Sequence, residues 1–369
     1  MRWLKRIGCA VIVLLLLVIG AALFVRLQGV QYVLAWTVGG YARPLPVAAA
    51  YAPEPLGGAL PCASGPIKVI TYNTFNGSAL VESLVERYAD GDLQGMPPWS
   101  RRVPEIRERI AHYAPDLIGL QEMGWDDDIA AIVPRDAGYT LVSYKLGSFE
   151  YGDSALLFRT ERFELLDSGQ LWQTPTPMLP LSFGYKKDSV FRYVNWVVLR
   201  ERDSGFTFLY VNTHFDNNTA NKEPFSQVYR DRFTALAEGM PVIATGDFNS
   251  NGETERYARI SGADRTPPLL PNAWDLAGPA ERYYWYNASE PERIPEGNND
   301  VAPANRIDHI LVGGPCPVTV RRWTIDLRGL RDGGDISDHD LIAAEIEFGV
   351  VAPKDEPAVA ATIPGIQPR

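Results

Sequence analysis

Pro241-Val-Ile-Ala-Thr-Gly246-Asp247-Phe248-Asn249 is an apolar run of β type that stops at a polar cluster. Asp116-Leu-Ile-Gly-Leu-Gln121-Glu122, Leu209-Tyr-Val-Asn212-Thr-His214 and Arg306-Ile307-Asp308-His309-Ile-Leu-Val likewise join such a run to such a cluster. A fifth cluster, Ser337-Asp338-His339, opens the run Asp340-Leu-Ile-Ala-Ala-Glu-Ile-Glu-Phe. Strands deliver their terminal residues to the rim of a sheet. Carboxylates, amides and imidazoles set there repeatedly describe a site for a hard metal ion and an acid–base pair. The chain has 4 histidines, and His214, His309 and His339 all fall in these clusters.

The 369 residues are enough for one large α/β domain. An apolar fraction of 46% is ordinary for a globular protein and supports a sizeable core. The formal net charge of −10 argues against a dedicated non-specific nucleic-acid binder, whose affinity comes from neutralising phosphates. A nuclease with a local basic rim stays open.

At the N-terminus, Arg2, Lys5 and Arg6 precede an uncharged stretch, Ile7 to Val25, closed by Arg26. At 1.5 Å per residue that stretch spans roughly 28 Å, about one hydrocarbon core. It reads as a transmembrane anchor within residues 1–29. A cleaved signal peptide is the alternative, although its apolar core is usually shorter. The basic residues before the span place the N-terminus in the cytoplasm and the body outside. Residues 30–66 read as a juxtamembrane segment, Val30–Tyr41, followed by a linker rich in Pro, Ala and Gly. Residues 67–350 form one body without an internal repeat, and residues 351–369 read as a disordered tail. Cys9 lies in the span, so Cys62 and Cys316 are the remaining pair. They either form a disulfide or are two unpaired small apolar residues.

Within the body, strands are expected at Ile67–Phe75, Asp116–Gln121, Thr140–Tyr144, Ser154–Phe158, Phe163–Trp172, Tyr193–Arg200, Phe206–Thr213, Val242–Gly246, Ile307–Val312, Val318–Asp326 and Ile342–Phe348. Helical periodicity fits Ala79–Tyr88, Val103–Tyr113, Asp127–Val133 and Phe225–Glu238. Strands follow one another through the middle of the chain. That order suits mixed sheets packed face to face with helices outside.

Each cluster alone has a plain explanation: a turn at Asn73, a solvated Glu122, an Asx turn at Asp247–Asn249. Together they divide the labour of a hydrolase. Glu122 is a hard oxygen ligand, and Asp247 and Asn249, two apart at a strand end, point the same way. Asp338-His339 can polarise water, with Asp308 fixing the imidazole tautomer and His214 acting from the other side of the scissile bond. His309 faces away from Asp308 on a regular strand and reads as structural, and His112 as a helix-end residue. No nucleophile elbow, Walker A loop or His-Glu-x-x-His helix is present. What remains is metal-assisted attack of water on a phosphoester.

The series Tyr72-Asn73, Gln121-Glu122, Asn212-Thr213-His214, Gly246-Asp247-Phe248-Asn249, Arg306-Ile307-Asp308 and Ser337-Asp338-His339 resembles, in order, the endonuclease/exonuclease/phosphatase superfamily. The resemblance implies a DNase I-like four-layer α/β sandwich and Mg²⁺, with Mn²⁺ or Ca²⁺ as alternatives. It makes Glu122 the main ligand with Asn73 beside it. Asp247 and Asn249 would orient water and phosphate, and Asp338 would support the metal or the water. His339 with Asp308 resembles the general base, and His214 the leaving-group residue. Its supporting carboxylate falls in a variable region, with Glu150 and Asp153 as candidates. Asp216 matches an Asp of variable role.

Such an enzyme is expected to act on a lipid headgroup or another envelope phosphoester, tethered through its N-terminal helix and with no obligate protein partner evident. An exported nuclease is the alternative, with Lys186-Lys187-Arg192 and Arg321-Arg322 as its only basic rim. An inactive binding module is the third reading, opposed by the intact set of carboxylates and histidines. Thr174–Pro180 and Tyr283-Tyr-Trp285-Tyr286 could shape a pocket or a membrane-facing rim.

Overall fold

The computed structural model describes residues 12–22, 61–79, 82–83, 95–143, 153–175, 177, 184–185, 192–237, 239–265, 269–286 and 288–349. Among the described residues, thirteen strands form two sheets. The first has eight strands in the order β10 (Glu292–Arg293), β9 (Arg282–Trp285), β12 (Val318–Asp326), β13 (Leu341–Phe348), β1 (Ile67–Gly77), β2 (Leu117–Met123), β4 (Leu156–Arg159) and β3 (Tyr139–Val142). The second has five, β11 (Asp308–Gly313), β8 (Val242–Asp247), β7 (Thr207–His214), β6 (Tyr193–Glu201) and β5 (Phe163–Trp172).

The period-two alternation of apolar residues builds the layers, because successive side chains leave opposite faces of a strand. Val69 of β1 and Phe208 and Tyr210 of β7 meet in the core between the sheets. Ile70 and Tyr72 turn the other way, onto α1 (Trp99–Tyr113) and α2 (Asp126–Ile132). Leu209 and Val211 turn onto α3 (Thr219–Ala237) and α4 (Glu255–Ser261). Helix, sheet, sheet and helix therefore stack as four layers around three apolar clusters. The expected sandwich of two mixed sheets is what forms.

Boundaries move for local reasons. α1 begins at Trp99 rather than Val103 and ends where Ala114 adopts φ 42° before Pro115. α3 begins at Thr219 because the Asn218 carboxamide accepts from Ala220 N at 3.1 Å. The aromatic segment Tyr283–Trp285, expected to shape a pocket or a membrane-facing rim, is paired in parallel with β12. The expected helix Ala79–Tyr88 and the end of the strand at Tyr144 fall largely or wholly outside the described residues.

Cys62 and Cys316 are disulfide-bonded, 254 residues apart in sequence. The bond ties the approach to β1 to the connection between β11 and β12. Ser64 N adds a hydrogen bond to Phe348 O at 3.3 Å, so residues 61–66 lie along the body. Residues 12–22 are helical and exposed, and among the described residues no helix is long and apolar enough to cross a membrane. The rest of the expected span 7–25, residues 30–60 of the juxtamembrane segment and linker, and the tail 351–369 lie outside the described residues.

Candidate active site

Parallel pairing of β1 with β2, and of β7 with β8, carries the ends of four strands to one rim. β11 and β13 run antiparallel to β8 and β1, so their first residues arrive at the same rim. His214, Asp247 and Asp308 are register partners across β7, β8 and β11. Gly246 permits this closeness: at φ +150°, a Cβ there would lie 2.2 Å from Thr213 O.

Asp247 Oδ2 is the centre of the arrangement. It lies 3.3 Å from His214 Nε2 and 3.7 Å from His339 Nε2, and accepts from Asn73 Nδ2 at 3.1 Å. Each histidine is held from behind by its own carboxylate. His214 Nδ1 sits 2.9 Å from Asp153 Oδ1, and His339 Nδ1 sits 2.6 Å from Asp308 Oδ2. These contacts fix the tautomer and direct both Nε2 atoms at Asp247. Burial, then the charge of Asp308, raises Asp247 above the ordinary carboxylate range against the pull of both histidines. Burial opposes protonation of His339, but Asp308, Asp247 and Asp338 together push it up to about 10.

Asp153 resolves the choice left open by the sequence. It is fully buried, pairs with Arg192 at 2.6 Å and accepts from Glu122 N at 3.1 Å, while Glu150 lies outside the described residues. Its burial is outweighed by Arg192 and His214, which hold it well below the usual carboxylate range. Arg192, expected on a basic rim, is thus committed to a carboxylate. Of the other rim candidates, Arg321 pairs with Glu347, Arg322 stacks on Tyr283 at 4.2 Å, and Lys186 and Lys187 lie outside the described residues.

The residues expected on the metal side are gathered unequally. Glu122 accepts from Asn76 N at 3.0 Å and from Asn73 Nδ2 at 3.3 Å. Asn73 Oδ1 is taken by Phe75 N at 3.0 Å, which settles the orientation of the amide. Asn73 therefore turns its N–H groups into the site and braces Glu122 and Asp247, rather than offering its oxygen as a ligand. Asp338 is about half exposed, with Oδ1 3.9 Å from His339 Nε2, and burial is the main cause raising its pKa.

Asn249 does not follow strand alternation. It lies past the end of β8 at φ 46°, donating its side chain to Phe215 O at 2.9 Å and its N–H to Asp247 Oδ1 at 2.8 Å. Its present contact with the site is through Asp247. Among the described residues, five of the six non-glycine residues with positive φ (Phe75, Asn76, Glu122, Ser154 and Asn249) belong to these rim segments. Such conformations cost about 1–3 kcal/mol each and persist where surrounding bonds over-determine them.

The donor set suits a hard divalent cation. Among the described residues, Asp247, Asp308 and His339 bring ligand atoms within 4.8 Å of one another, and Glu122 adds a nearby carboxylate. Asp308 Oδ1 is buried without a hydrogen-bond partner among the described residues, which a cation would remedy. His309 is outside this chemistry. Its ring is buried, with Nε2 2.9 Å from Ser250 O and Nδ1 3.1 Å from Asn272 Nδ2, and burial lowers its pKa to about 4. His112 ends α1 against Trp285, with ring centroids 4.4 Å apart. Asp216 accepts from Asn218 N and Asn221 Nδ2, both at 2.8 Å, and so shapes the start of α3.

The fold and this constellation meet in one family. The Endonuclease/Exonuclease/phosphatase family model matches residues 70–339, and the chain belongs to that family. Members of that family are hydrolytic phosphoesterases or nucleases that generally use divalent metal ions. It is 25% identical over 197 residues to Protein angel of Drosophila melanogaster, which covers 50% of this chain and 52% of that protein. The chain thus spans about half the length of this curated relative. Among solved structures, an endonuclease/exonuclease/phosphatase from Bacteroides vulgatus superposes with a TM-score of 0.58 at 22% identity, over 77% of this chain and 100% of that one. The mannosyl-6-phosphatase of Bacteroides thetaiotaomicron gives 0.57 at 22% identity, over 76% and 99%. At these identities the two structures support the fold.

Proposed function

We propose that the protein is a Mg²⁺-dependent phosphoester hydrolase facing outward from a membrane, acting on a lipid headgroup or another envelope phosphoester. Asp247 Oδ2, set between two imidazoles that each carry their own carboxylate, is the observation that carries the hydrolytic mechanism. Asp247 orients the attacking water, His339 Nε2 accepts its proton, and His214 Nε2 supplies one to the leaving oxygen. Asp308 and Asp153 keep both rings aimed, and Asn249 holds Asp247 through its N–H. A divalent ion among Glu122, Asp247 and Asp308 would offset their charge, loosen the hold on the His339 proton and neutralise charge growing on the phosphoryl oxygens.

Among the described residues, the arginine pairings near the rim favour a small or lipid phosphoester over a nucleic-acid backbone. Arg101 pairs with Asp332, Arg192 with Asp153, Arg306 with Asp340 and Arg331 with Glu108. A polyanion would need cations not already neutralised in this way. The disulfide suits an oxidising compartment and thus the outward orientation. The mouth and Cys62 lie at opposite ends of the strands, so the anchor's own bilayer is reached only around the domain. The roughly 35 residues between Arg26 and Cys62 can extend about 120 Å at most, against a domain diameter of about 50 Å.

The test is hydrolysis by the full-length protein in detergent, with Mg²⁺, of phospholipid vesicles, p-nitrophenyl phosphate and plasmid DNA. Lipid or small-ester turnover that falls at least about a hundredfold in His339→Ala and Glu122→Gln is expected. Nicking of DNA, abolished in His214→Ala and without turnover of the other two, would replace this reading with the nuclease.

A further inference from the structure

Arg102 is the largest fully buried side chain described, at 0% exposure, and the mechanism above does not use it. Its described hydrogen bonds all go to backbone carbonyls: Nη1 donates to Thr74 O at 2.6 Å and Ile336 O at 2.9 Å, and Nη2 to Phe75 O at 2.8 Å. Those three carbonyls belong to two separate segments. Thr74 and Phe75 form the exit of β1, which carries Asn73 and, through Asn76 N, braces Glu122. Ile336 opens the segment that carries Ser337, Asp338 and His339. Ser337 repeats the link nearby, donating Oγ to Asn73 O at 2.7 Å and accepting from His339 N at 3.2 Å.

Burying a guanidinium away from water costs several kcal/mol; both Nη atoms of Arg102 are paired, while its Nε has no hydrogen-bond partner among the described residues. Here the planar fork spans two backbone segments at once, a geometry that a single-nitrogen cation does not reproduce. The strained residues Phe75 and Asn76, both at φ 49°, lie next to the bridged carbonyls. A rigid clip across them would keep the strain from relaxing.

We propose that Arg102 is a positioning residue that sets the spacing between the Glu122 side of the site and His339. The inference rests on the hydrolytic reading above and adds to it the device that holds the two halves in register. A site assembled from two loops loses rate steeply when one drifts by about 1 Å, on the order of a hundredfold.

Full-length protein and its Arg102→Lys variant are compared on p-nitrophenylphosphorylcholine with Mg²⁺, and Mg²⁺ binding is titrated separately by calorimetry without substrate. Lysine keeps the charge and loses the fork. The expected result is a kcat lower by about tenfold to a hundredfold, KM within about threefold, weaker Mg²⁺ binding and an unchanged circular dichroism spectrum. A folded Arg102→Lys protein whose kcat and Mg²⁺ affinity both match wild type overturns the proposal. Should that variant fail to fold, Ser337→Ala decides, since it cuts the neighbouring link between the same two segments: lower kcat at constant KM supports the clip, and unchanged kcat refutes it. If wild type hydrolyses no ester, the hydrolytic reading fails and Mg²⁺ affinity alone judges Arg102.

Discussion

Asp153 shows how much a single carboxylate can govern when it is buried between two cations. It takes the His214 proton side at one oxygen and the Arg192 guanidinium at the other. Asp153→Asn keeps the shape but can present an N–H to the imidazole and reverse its tautomer. A kcat loss of about a hundredfold or more with little change in KM is expected from steady-state kinetics. His309 gives a second, independent residue-scale test. Its folded pKa near 4 lies below the ordinary 6.5, so between those values the unfolded chain binds the extra proton. Stability from this residue is therefore complete above pH 6.5 and falls as the pH drops toward 4, by about 3 kcal/mol in total. Urea denaturation across that window should show a shallower pH slope in His309→Gln. Glu122, Asp247, His214 and the Asp308–His339 pair were legible in the sequence because each ends or opens an apolar run. Arg102 and the choice of Asp153 were not, because their partners lie 27 or more residues away and no local period marks them. The orientation of Asn249 departs from strand alternation for a backbone reason: its φ of 46° breaks the period of two.

At the scale of elements, a buried polar layer joins the two sheets just beneath the site. Asn212 on β7 donates to Leu120 O at 3.0 Å and Ala155 O at 2.8 Å, while its Oδ1 accepts from Gln121 Nε2 at 2.7 Å and Thr245 Oγ1 at 3.0 Å. Asn212 belongs in sequence to the His214 cluster, and its place in the fold is one of support. Gly119 on β2 leaves room for this layer. A Cβ there would lie 2.4 Å from both Asn212 Oδ1 and Thr245 Oγ1. Gly119→Ala should cost about 3 kcal/mol through crowding and broken hydrogen bonds, measured by chemical denaturation. The strands around this layer were legible from their alternation. The polar bracket was not, since two sheets far apart in sequence must first be stacked before its donors and acceptors meet.

For the whole molecule, the site and the disulfide occupy opposite ends of the same strands. Ile67 to Asn73 on β1 covers about 20 Å, from the Cys62 end to the rim. Cys62→Ala should lower stability by about 2–5 kcal/mol through the long loop it frees, seen as a drop in Tm. The kcat of the folded protein should stay within about twofold of wild type, because no site residue touches the bond. A change in kcat without a change in Tm would contradict that separation. The same bond also decides where mechanical load would go. Tension entering through residue 61 meets a covalent tie to the β11–β12 connection before it reaches the first residue of β1. The strand that carries Asn73 is thereby insulated from its own N-terminal extension, and a pull on that extension would strain the base of the sandwich while the catalytic rim stays at rest.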